Sequence, residues 1–70
     1  MKTTLRGQKI SGYYGPDMGR GHWLFVRAPK SGRTYSIARV VEGEIVELHA
    51  EPALRDFTNR ELAEALIAAS

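Results

Sequence analysis

His22, His49, Asp17 and Ser36 are the residues of this chain whose types could carry nucleophilic or metal chemistry. A serine activated by an acid-oriented histidine, or a metal held by two histidines and a carboxylate, requires a fold that brings such groups together. Their spacing gives no support for either. Neither histidine belongs to an HExxH motif, Ser36 is not on a strand-turn-helix elbow, and 70 residues leave little room for a pocket beside a core. The paired carboxylates Glu42 and Glu44 flank a turn, where they read as solubilising charges. The expectation is a non-enzymatic protein with no catalytic residue, no metal and no cofactor.

The glycines of Gly19-Arg20-Gly21 superficially suggest a phosphate-cradling loop. Such a loop leads into a helix through GxxxxGK[ST], whereas here the strand-like run HWLFVRA follows. A loop tip bearing one arginine is the plainer reading.

Aromatic residues interleaved with base carry more information. Tyr13, Tyr14, Trp23, Phe25 and Tyr35 share the first half of the chain with Lys9, Arg20, Arg27, Lys30 and Arg33. Sheets that bind single strands stack bases on exposed aromatics while cations hold phosphates. Assigning Trp23 and Phe25 to the core leaves Tyr13, Arg20, Arg27, Lys30, Arg33 and Tyr35 as the candidate nucleic-acid set. Charge is distributed to match: residues 1–39 hold eight Lys/Arg against one acid, and residues 40–70 hold two against seven, so +7 faces −5 within a net charge of +2. That asymmetry points either to an acidic partner or to mutual neutralisation on folding.

The elements that must position these residues centre on Arg33–Glu51. β-Branched and aromatic residues fill both arms, and Glu42-Gly43 marks the reversal. Two registers compete. A two-residue turn sets Val41 opposite Glu44 and Arg39 opposite Val46; a three-residue loop sets Val40 opposite Val46, Arg39 opposite Glu47 and Ala38 opposite Leu48. The second is favoured because it yields one apolar face and a cross-strand ion pair. Upstream, Leu5–Tyr14 reads as a bent edge strand interrupted by Gly7 and Gly12, residues 15–21 as a loop, His22–Ala28 as a central strand and Pro29–Gly32 as a turn. That turn sets Ala28 opposite Arg33, Phe25 opposite Ser36 and Trp23 opposite Ala38. Thr58-Asn59-Arg60-Glu61 is a capping box with Phe57 and Leu62 at staple spacing, opening a helix whose stripe is Leu62, Ala65, Leu66 and Ala69.

The whole is expected to be a single α+β domain over residues 1–70: an antiparallel four-stranded meander, β-β-β-β-α, with the C-terminal helix on one face. Trp23, Phe25, Ala38, Val40, Val46 and Leu48 would then face the helix. Leu24, Val26, Ile37, Val41 and Ile45 would form the second face, closed into a barrel or used as a protein interface, with a homodimer as one outcome. With no cysteine, no run of about 18 apolar residues and no signal-peptide centre, a soluble cytoplasmic protein is expected. The leading expectation is a binding module that docks on a protein, in the manner of the small inhibitors and accessory factors of phages and mobile elements, anti-CRISPR proteins among them, that target nucleic-acid-handling complexes. The alternative is direct binding of single-stranded RNA or DNA.

Overall fold

The computed structural model describes residues 1–17 and 19–70. Its elements are β1 (Lys2–Leu5), β2 (Gln8–Tyr14), β3 (His22–Arg27), β4 (Thr34–Val41), β5 (Glu44–Leu48) and α1 (Asn59–Ala69). The strands form one antiparallel meander in the order β1-β2-β3-β4-β5, one strand more than the sequence suggests. The extra strand arises because Leu5–Tyr14 is two elements rather than one. Arg6 and Gly7 take φ of 48° and 80°, so a two-residue turn folds Leu5 onto Gln8 and creates the β1–β2 hairpin. An arginine at a left-handed position carries no turn signature, and that conceals the break.

The β4–β5 turn uses the same geometry, with Glu42 at φ 51° and Gly43 at φ 80°. Both registers weighed from the sequence occur, in succession. Val41 pairs with Glu44 and Val40 with Ile45, as a two-residue turn demands; Arg39 then pairs with Glu47 and Ala38 with Leu48, as the longer loop demands. A bulge at Val46 reconciles them and turns that valine outward, half-exposed. The Arg39–Glu47 ion pair forms at 3.3 Å.

A second bulge reverses the assignment of faces. Phe25 pairs with Ser36 and the amide of Ala28 donates to the Arg33 carbonyl at 2.8 Å, as expected, but Leu24 pairs with Ala38 and Trp23 with Arg39. Ile37 is the extra residue. A one-residue insertion exchanges the two faces beyond it, so Leu24 joins Ala38 and Val40 instead of Trp23 doing so. Leu24, Val26, Ile37 and Ala38 are fully buried under the helix, and Ile45 packs against them.

The helix begins as its sequence dictates. Thr58 Oγ1 accepts from the Glu61 amide at 3.1 Å, and the Glu61 carboxylate accepts from the Thr58 amide at 2.8 Å. Its buried stripe is Asn59, Leu62, Ala63 and Leu66, shifted from the expected one, with Ala65 only partly covered and Ala69 exposed. Gly12 admits Leu66 to the sheet: a Cβ there would lie 2.8 Å from Leu66 Cδ1 and 2.5 Å from the Phe25 carbonyl oxygen. Complete burial of Leu24, Ile37, Leu62 and Leu66 contributes about 1.5–3 kcal/mol for each side chain. Since α1 lies against β1 and β2 as well as β4 and β5, the sheet curls around it as half a barrel. No helix among the described residues is long and apolar enough to cross a membrane.

Candidate functional site

Alternation along the strands sorts the side chains that remain. On β3, Leu24 and Val26 point to the helix, so Trp23, Phe25 and Arg27 point away from it. On β2, Ile10 and Gly12 are buried, and Lys9, Ser11 and Tyr13 take the opposite side. Cross-strand partners share a face, so the pairings lay out this outer surface in rows. Lys2, Ser11, Arg27 and Thr34 make one row beside the β3–β4 turn, and Tyr13, Phe25 and Ser36 make the next. Trp23, Arg39 and Glu47 follow, and Val41 with Glu44 end the series.

Two ring pairs occupy the middle. Tyr13 and Phe25 stack with centroids 5.1 Å apart and planes within 10°. Nearly parallel planes at that separation form an offset stack, the favoured arrangement of two aromatic rings. Tyr13 is 42% exposed, and β1 begins one row earlier, so no strand residue stands across from Tyr13 on that side. Trp23 meets His49 at 4.9 Å with a tilt of 56°.

Charge is graded along the strands. Lys2, Lys9 and Arg27 lie at one end, where Lys2, Thr4, Lys9, Ser11 and Arg27 line a shallow groove, and Lys30 and Arg33 occupy the adjoining turn. Among the described residues, none of these five cations is in an ion pair. Glu42, Glu44 and Glu47 lie at the other end, where Arg39 neutralises only Glu47.

Leu24, Val26 and Ile37 are core, Ile45 flanks it, and Val41 is half-buried on the opposite side; they form no exposed interface. The bulge at Ile37 is the physical reason. Of the nucleic-acid set, Tyr13 and Arg27 share the outer face with Lys30 and Arg33 next to it. Arg20 is at the far end, where its carbonyl accepts from Arg39 at 2.7 Å, and Tyr35, paired with Val26, is on the helix side of the sheet. Trp23 and Phe25, assigned to the core from sequence, belong to this surface, as do Lys2 and Lys9. A signal was available: Arg27 follows Trp23 and Phe25 at spacing two, so the face bearing them ends in a charge.

The groups that could be drawn as a catalytic site are scattered. Ser36 Oγ is 3.4 Å from His49 Nδ1, but His22 Nδ1 is 2.9 Å from the Gly15 carbonyl oxygen and Asp17 accepts from the Gly19 amide at 2.8 Å. Among the described residues, no three His, Asp or Glu side chains gather as a metal site requires.

Fold and surface together define an α+β domain that presents an uncovered sheet face, aromatic in the middle and basic at one end. No protein-family model, curated protein or solved structure matches the chain.

Proposed function

We propose that this domain is a non-enzymatic module that binds single-stranded nucleic acid on the outer face of its sheet. The observation that carries the reading is the adjacency of the Tyr13–Phe25 ring pair and the free cations Lys2, Lys9 and Arg27 on one uncovered face. Bases stack on aromatic faces irrespective of sequence, at about 1–3 kcal/mol each, and cations beside the rings hold the phosphates. A large hydrophobic protein interface is less well supported, because the aliphatic residues that would build it are under the helix.

Titration of a mixed-sequence, single-stranded oligonucleotide at several salt concentrations, followed by anisotropy, tests the proposal. Three phosphate contacts give a slope of roughly −2 in log K against log salt, and engagement of Lys30 and Arg33 steepens it toward −3.5. Absence of binding at about 50 mM salt would overturn the reading and leave the face to a protein partner.

A further inference from the structure

We infer that the bound strand crosses the β-strands rather than running along them, with its phosphates over the Lys2–Arg27 row and its bases turned onto the two ring pairs. The inference rests on the nucleic-acid reading and specifies how that surface is used. Its basis is the order of the rows. Moving along β3 toward its amino end, the outer face goes from Arg27 to Phe25 to Trp23, and on the neighbouring strands from Lys2 and Ser11 to Tyr13, and from Thr34 through Ser36 to Arg39 and Glu47. Successive outward residues on a strand are about 7 Å apart, so cationic and aromatic rows are separated by one short step.

A chain of phosphates laid along β3 would leave Arg27 and pass over Phe25 and Trp23, whose rings offer it no charge. Laid across the strands, it stays on Lys2, Ser11 and Arg27 for the full width of β1 to β3. Its bases then project toward Tyr13 and Phe25, where the ring of Tyr13 is open on its β1 side. Trp23 with His49 offers a second stacking position further from the cations. Phosphate and base are thus met by different rows, and the two sets of contacts can be removed independently.

The experiment uses that separability. A deoxythymidine ten-mer and an abasic ten-mer of the same length are titrated against the wild type, Tyr13→Ala, and the triple variant Lys2→Ala, Lys9→Ala, Arg27→Ala, with circular dichroism to confirm that each is folded. The abasic strand should bind wild type with the same salt slope but lower affinity, by roughly five- to 150-fold for each base that stacks. Tyr13→Ala should reduce affinity for the thymidine strand and leave the abasic strand unchanged. The triple variant should flatten the slope by roughly 2 for both strands. Equal affinity of the two strands for wild type, with binding intact, would overturn this path while the nucleic-acid reading stands. Failure of both strands to bind would overturn the two together.

Discussion

Asn59 is the one buried polar side chain among the described residues, at 5% exposure, and its three side-chain hydrogen bonds are all directed at the β5–α1 connection. Its Nδ2 donates to the carbonyls of His49 and Glu51 at 2.8 and 2.9 Å, and its Oδ1 accepts from the Ala53 amide at 3.1 Å. An irregular segment containing Pro52 cannot satisfy these groups through a ladder, so a side chain on the first helical residue does so. Asn59→Ala should therefore destabilise the domain by about 2–3 kcal/mol in a urea titration. A change within about 0.5 kcal/mol, typical of an indifferent surface site, would show that the connection finds water instead. Near it, Arg6 donates to the Glu61 carboxylate at 2.7 Å and to the Asp56 carbonyl, and lies 4.5 Å from the centre of the Phe57 ring. The Arg6 guanidinium, with the Thr58 amide, holds the Glu61 carboxyl below its ordinary range, and Glu61 in turn raises Arg6. The folded state thus favours ionised Glu61 more than the unfolded chain does. That contribution is complete above the usual glutamate pKa of about 4.3 and is lost as pH falls through the lowered folded value. Glu61→Gln retains an acceptor for the cap but not the charge. Its urea midpoint should trail wild type at pH 7, and the gap should narrow as pH falls below the usual glutamate pKa of about 4.3; a gap independent of pH would show that the charge is not what matters.

At the scale of elements, the sequence is legible where local chemistry acts alone and obscure where register accumulates. The capping box, the Glu42-Gly43 reversal and the Pro29–Gly32 turn depend on residues within a few positions of one another, and all are present, whereas the Arg39–Glu47 pair is restored to register by the bulge at Val46. Both bulges depend on which of two near-equivalent pairings the rest of the fold rewards. At Ile37, keeping strict alternation would place Trp23 and Phe25 beneath the helix. Inserting one residue places Leu24, Val26, Ile37 and Ala38 there instead, individually smaller side chains that fit against Leu62, Ala63 and Leu66 across Gly12. Neither packing volume nor helix approach is visible in a period-two pattern. The candidate surface was half legible for the same reason: Tyr13, Arg27, Lys30 and Arg33 could be named, but Lys2 lies on the unforeseen strand β1, Lys9 was left out of the set, and Trp23 and Phe25 could not be released from the core until the bulge was known. The fifth strand was hidden by Arg6, whose left-handed backbone is compatible with a turn that glycine, asparagine or aspartate would have advertised.

The whole molecule is small, 33 × 20 × 18 Å, and its sheet wraps a single helix that touches both edge strands. Because the helix fills the concave side, the outer face with its ring pairs is convex. Curvature of that sign acts as a mechanical filter on partners. A straight, stiff object meets a convex surface along a short arc, and duplex DNA, with a persistence length of about 50 nm, would have to bend to reach beyond one row of contacts. A single strand can follow the curve with little elastic resistance. In a competition titration the single strand should displace a duplex of equal length at comparable salt, and a duplex that competed equally well would mean that only the cationic rim is engaged. The helix therefore does more than close a core: by setting the radius of the sheet, it would, on the proposed reading, determine how flexible a polymer must be to lie on the other side.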